Sequence, residues 1–164
     1  MHDIRLAAVD DIPVIARHRV RMFEDMALLP PAQAPVMFDR TVRFLERAIP
    51  SGEYVGWLAV SRDAHGSVAG GAGLQTRTVL PFPFGGGAGA GVGTGREALV
   101  INVYTEPESR MLGLARRLME ALIDWSRAAG IERIALHASP SGRPLYDGLG
   151  FVSTNEMRLM LLTR

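Results

Sequence analysis

Apolar residues at Ile12, Ile15, Ala16, Val20, Phe23, Met26 and Ala27 recur at helical spacing, and this stripe predicts an amphipathic first helix. Asp10, Asp11 and Pro13 supply its start, and the short run Ile4–Leu6 before it reads as a strand. Pro30, Pro31 and Pro35 interrupt the pattern. A second helical stripe follows at Phe38, Val42, Leu45 and Ile49, ended by Pro50 and Gly52. The pattern then changes period: Tyr54–Val60 and Ser67–Leu74 are strand-like runs, and the polar segment Asp63-Ala64-His65-Gly66 between them predicts a hairpin. Residues 98–104 are apolar on both parities apart from Asn102, as expected of a strand covered on both faces. Leu114, Leu118, Leu122, Trp125 and Ala129 mark a third helix that Gly130 stops. Ile134–Ala138 reads as a strand, Pro144–Leu149 as a short helix, and Phe151–Leu162 as a final strand. The order is mixed α/β in one domain, residues 1–164, with no internal repeat.

Composition narrows the chemistry more than the fold. With 164 residues and 48% hydrophobic content, the chain is long enough to fold around its own core without staples. A net charge of +1 gives no drive toward phosphate backbones or acidic membranes, so no nucleic acid and no membrane partner is expected. No apolar run approaches the ~20 residues of a membrane span, and the N-terminus lacks a signal-peptide pattern. The absence of cysteine removes thiol nucleophiles and Cys-ligated zinc, and it fits a cytoplasmic location. Four scattered histidines show no metal-ligand spacing, so no metal is expected. Every basic residue counted is arginine, which excludes a Schiff-base lysine or a phosphate-binding P-loop lysine. The stretch between Pro81 and Arg96 carries the run Gly85–Gly95 and has little to bury. Because it leads into a strand rather than a helix, it reads as a flexible surface loop rather than a phosphate cradle.

The site-bearing segment runs from Val103 to Ala115, out of a buried strand and into a helix. Unpaired N–H groups at a helix N-terminus, with the positive end of the helix dipole, suit a pyrophosphate. Gly113 and the small Ala115 permit close approach. The sequence Arg110-Met111-Leu112-Gly113-Leu114-Ala115 has the pattern R-x-x-G-x-A, with Pro107 three residues before it. One helix and one strand later comes Leu145-Tyr146-Asp147-Gly148-Leu149-Gly150-Phe151, the pattern L-Y-x-x-L-G-F. The two motifs together, in this order and at this separation, resemble the GNAT superfamily of N-acetyltransferases. The resemblance covers residues 97–162 well and the N-terminal half by its order of elements.

The resemblance implies a mixed, mostly antiparallel central sheet flanked by helices, and acetyl-CoA as co-substrate. Val103, Tyr104 and Thr105 would offer backbone groups to the pantetheine arm. Arg110, Met111, Leu112, Gly113, Leu114 and Ala115 would wrap the pyrophosphate, and Ser139 stands where the family often has a coenzyme-contacting Asn. Tyr146 stands at the position of the family's general acid. The implied acceptor is a small-molecule or peptide amine, taken directly in a ternary complex, and the implied assembly is a homodimer. An acetyl thioester and an amine held in line need no protein nucleophile. The amine must lose a proton, however, and Leu99 occupies the strand position where some protein-acetylating members carry a glutamate, with Ile101 as its neighbour on that face. Glu97, Glu106 and Glu24 are the candidate bases, and His137 is a candidate relay. A non-catalytic acyl-CoA-binding module is the alternative.

Overall fold

The computed structural model describes residues 1–62, 66–85 and 87–161, and the structural statements that follow concern those residues. Five strands form the main sheet: β1 (His2–Leu6), β2 (Tyr54–Ser61), β3 (Val68–Thr78), β6 (Arg96–Thr105) and β7 (Arg133–Leu136). Their spatial order is β1-β2-β3-β6-β7, antiparallel throughout except for the parallel β6–β7 pair. The helices are α1 (Ile12–Asp25), α2 (Ala34–Ser51), α3 (Leu114–Ala128) and α4 (Arg143–Asp147). This is the mixed sheet flanked by helices that the motifs imply.

Each face of the sheet has its own core. Leu114, Leu118, Met119 and Leu122 of α3 pack with Trp57, Leu74, Ala98 and Val100 on one face. On the other, Ile12 and Ile15 of α1 and Leu45 and Ala48 of α2 pack with Tyr54 and Leu58. Covering on both sides is why β6 shows no polar alternation. The glycines of β3 serve the second core: a Cβ at Gly73 would overlap the Tyr54 hydroxyl, so the strand stays bare where that ring lies.

Two irregularities mark the second half of β6. Gly73 pairs with Asn102 and Leu74 with Val100, so Ile101 is a bulge with no counterpart on β3. Alternation resets there. Val100 and Val103 pack toward α3, whereas Ile101 and Asn102 both line the α1–α2 side. In addition, the parallel pairing with β7 ends at Val100–Leu136, while β6 runs on to Thr105. Residues 101–105 therefore have β3 on one edge and no strand on the other.

The remaining elements refine the sequence reading. Pro35 lies in the first turn of α2, where its missing N–H costs nothing, and Gly52 ends α2 in the left-handed region at φ 75°. Within the Gly-rich stretch, β4 (Pro83–Phe84) pairs with β5 (Gly91–Val92), and the Glu132 carboxylate accepts the N–H groups of Thr94 and Gly95. Asp63, Ala64, His65 and Gly86 lie outside the described residues. The expected final strand is not found: residues 151–161 join no ladder, and Val152, Met157, Leu159 and Leu161 are exposed. Mixed alternation cannot establish a strand without a neighbour to pair with. Leu162 lies outside the described residues. No described helix is long and apolar enough to cross a membrane.

Candidate active site

The chain leaves β6 through a 3-10 turn, Pro107–Ser109, and reaches α3 by way of two left-handed residues, Met111 at φ 63° and Gly113 at φ 74°. Gly113 is the N-cap of α3, and no side chain caps the helix. The first intrahelical bond runs from Arg117 N–H to Gly113 C=O, so the N–H groups of Leu114, Ala115 and Arg116 have no helical acceptor. A Cβ at Gly113 would meet nothing within 4 Å. The glycine is thus required by its backbone angle, and the space beside the helix end is open. Met111 and Leu112 are exposed, Leu114 is buried, and Ala115 is half-buried.

The Arg110 guanidinium is held by neighbours on α1 and β6. It pairs with Asp25 at the end of α1, donates to the Thr105 carbonyl at 3.1 Å, and lies 5.8 Å from the centre of the Tyr104 ring. Arg110 is a strut between α1 and the end of β6. Tyr104 is buried against His18, and burial, followed by the nearby Glu106 and Asp25 charges, raises its pKa. Of the three residues expected along the pantetheine arm, Val103 packs toward α3, Tyr104 faces α1, and Thr105 gives its carbonyl to Arg110.

The acid–base candidates separate by environment. Glu97 is buried between Arg77 and Arg133, which bind opposite carboxylate oxygens; burial pulls its pKa up, but these guanidinium bonds outweigh that and hold it below the ordinary value. It is scaffold. Glu24 is exposed on α1, and Leu99 and Ile101 are half-buried on β6. Glu106 is buried, pairs with Arg21, and faces His18 Nε2 at 3.3 Å. Burial pushes His18 down to about 4, against an upward pull from Glu106, so the imidazole is neutral near pH 7. His137 lies just beyond β7, half-exposed and 3.7 Å from Glu156. The Ser139 hydroxyl accepts the Gly142 N–H at 3.1 Å, which fixes the turn into α4. Tyr146 sits on α4, half-buried with its ring on Phe151, and burial raises its pKa. No cluster of three or more His, Cys, Asp or Glu suited to a metal occurs among the described residues.

Sequence reasoning missed a cavity of about 290 Å³ between α1, α2 and the bulged part of β6. Its polar lining includes Arg19, Arg40, Tyr54, Gln75 and Asn102, against apolar walls from Ile15, Met37 and Phe44. Arg19 donates to the Ile101 carbonyl at 2.8 Å and lies over the Phe23 ring, and burial lowers its pKa. Asn102 hydrogen-bonds Tyr54, yet its Oδ1 is buried with no partner. Two signals pointed here: Asn102 as the lone polar residue of an apolar run, and Arg19 between Ile15 and Phe23 on the buried stripe of α1.

Comparisons with known proteins bear on the fold and the family. Residues 18–151 match the family model described as the acetyltransferase (GNAT) family. Among solved structures, a predicted acetyltransferase with acetyl-CoA from Clostridium acetobutylicum superposes with a TM-score of 0.80 at 26% identity, covering 98% of this chain and 96% of that one. A GCN5-related N-acetyltransferase from Ralstonia eutropha gives 0.83 at 26% identity, covering 98% and 99%. Glucosamine-6-phosphate N-acetyltransferase from Arabidopsis thaliana gives 0.70 at 15% identity over 99% of each chain, a likeness of fold alone. No curated protein matches the sequence.

Proposed function

The chain belongs to the acetyltransferase (GNAT) family, and from that premise we propose that it transfers the acetyl group of acetyl-CoA directly to a primary amine in a ternary complex. The observation that carries this reading is the juxtaposition of the uncapped α3 N-terminus with the edge of β6 at residues 101–105 that no described strand covers. The related structure from Clostridium acetobutylicum, whose complex is with acetyl-CoA, supports the choice of donor.

In this reading the N–H groups at Leu114, Ala115 and Arg116 hold the pyrophosphate, helped by the helix dipole. Gly113 keeps the approach free of a side chain. The free edge of Val103–Thr105 aligns the arm that carries the thioester, and bound acetyl-CoA supplies the activated acyl group. The C–N bond forms as the C–S bond breaks. The amine gives up its proton to solvent, and Tyr146, kept protonated by its raised pKa, hands a proton to the departing sulfur. Ser139 positions Tyr146, since it fixes the turn into α4. The domain works as one unit over residues 1–164.

Two measurements test the reading. Saturating acetyl-CoA is expected to raise Tm, and no stabilisation would remove the coenzyme from the account. Across a panel of amines, Tyr146→Phe is expected to lower kcat about 100-fold while leaving acetyl-CoA affinity in place. A rate unchanged across pH would remove Tyr146 from the general-acid role.

A further inference from the structure

We infer that the cavity between α1, α2 and the β6 bulge takes an amine that also carries a carboxylate, an amino acid with an apolar side chain being the simplest such molecule. The inference rests on the acetyltransferase reading and names the acceptor for it.

Three features of the cavity point the same way. The first is charge. Arg19 and Arg40 line the cavity, and none of its lining residues is acidic. Glu53 lies behind the wall, where it accepts from Gln75 and faces Arg47. Arg19 has five N–H donors, but its one hydrogen bond goes to the Ile101 carbonyl, and it pairs with no described carboxylate. A partly buried guanidinium without an anion is costly, and a ligand carboxylate relieves that cost with two parallel hydrogen bonds.

The second is an orphan acceptor. Asn102 lines the cavity; its amide bonds Tyr54, and its buried Oδ1 has no partner among the described residues. An amine N–H supplies one. Asn102 immediately precedes the Val103–Thr105 edge, so an amine held there lies beside the thioester arm. The two arginines also disfavour an ammonium ion, which lowers the pKa of a bound amine and eases its loss of a proton.

The third is size and surface. At about 290 Å³ the cavity is near the lower limit of ligand sites, about 300 Å³. That volume suits a single small molecule. Met37, Phe44 and Ile15 offer an apolar wall for its side chain.

The test is a calorimetric titration of the full chain, saturated with CoA, with three matched sets of probes: L-leucine, L-methionine and L-phenylalanine; their carboxamides; and the corresponding decarboxylated amines. Because CoA carries no acetyl group, turnover is not needed. The free amino acids are expected to bind about 10- to 100-fold more tightly than their carboxamides, as charged hydrogen bonds to a carboxylate imply. In Arg19→Gln that preference falls toward unity, and in Arg40→Gln it falls in part. Arg40 is exposed and has no side-chain hydrogen bond or ion pair among the described residues, so its variant keeps the test valid should Arg19→Gln not fold. Equal binding of all three sets, a preference for the decarboxylated amines, or a carboxylate preference that survives in both variants would overturn the inference. The broader reading fails separately, through the absence of any acetyl-CoA stabilisation.

Discussion

The two ends of β6 each bury a glutamate, on opposite plans. Glu97, near the start of the strand, has a neighbour on both sides, and its register partners are Arg77 on β3 and Arg133 on β7. Both reach it, one on each carboxylate oxygen. Glu106, one residue past the other end, donates its backbone N–H to Ala69 of β3 but has no β7 beside it. Its carboxylate binds Arg21 through one oxygen and faces His18 Nε2 through the other. At the closed end the polar groups consume one another. The open end, where the pairing with β7 has stopped, keeps capacity in reserve at Asn102 Oδ1. Whether partners exhaust a buried polar group distinguishes scaffold from site here, since residue type is the same at both ends.

The strongest way to break this contrast is to remove the carboxylate at the closed end. Glu97→Ala leaves two arginines facing each other across the sheet and is expected to cost about 3 kcal/mol, a fall of about 6 to 12 °C in Tm. Guanidinium unfolding checks the first figure. The KM for acetyl-CoA should not change, because Glu97 lies at the far end of β6 from the α3 N-terminus. A stable variant with impaired turnover would reverse the assignment.

A smaller effect belongs to His18 at the open end. Its folded pKa, about 4, lies below the ordinary 6.5, so the folded state resists protonation. The stability due to its neutrality is complete above about pH 6.5 and is lost as pH falls toward 4. Between pH 7 and pH 5 the loss is roughly 2 kcal/mol on this account. His18→Gln, which keeps a polar group beside Glu106, should flatten the Tm profile across that window. A variant with the same slope as the native chain would place the titration elsewhere.

The contrast also explains what the sequence could and could not reveal. The strand, turn and third helix were legible because Arg110, Gly113 and Ala115 sit at fixed spacing between a continuous apolar run and a stripe of clear helical period. Glu97 was legible as a candidate base just ahead of the strand but not as part of a cross-strand arrangement, since that depends on register with Arg77 and Arg133, residues 20 and 36 positions away. The bulge at Ile101 was invisible because β6 is apolar on both parities, so a reset of alternation leaves no trace. The pairing of Arg19 with Asn102 was hidden for a related reason: each is a polar residue on an otherwise apolar stripe, and only the packing of α1 and α2 on the bulge brings them into one cavity. The segment after Phe151 failed differently, since apolar composition without a ladder partner does not make a strand.

The smallest expected effect lies at the turn into which the open end leads. Gly113 holds φ 74° beside empty space, so Gly113→Ala introduces no clash and tests the backbone angle alone. Left-handed backbone costs a residue with a Cβ about 1 kcal/mol, and relaxation of the turn would redirect the N–H groups of Leu114 to Arg116. About a fivefold rise in the KM for acetyl-CoA is expected from a disturbance of that size, with the acceptor KM unchanged. Gly113→Asn should recover part of the loss, because asparagine tolerates this region better than alanine. That order, glycine then asparagine then alanine, is what a backbone requirement produces. Equal losses in both variants would instead mean that any side chain there meets the coenzyme, and the pyrophosphate would lie closer to Gly113 than to the first turn of α3.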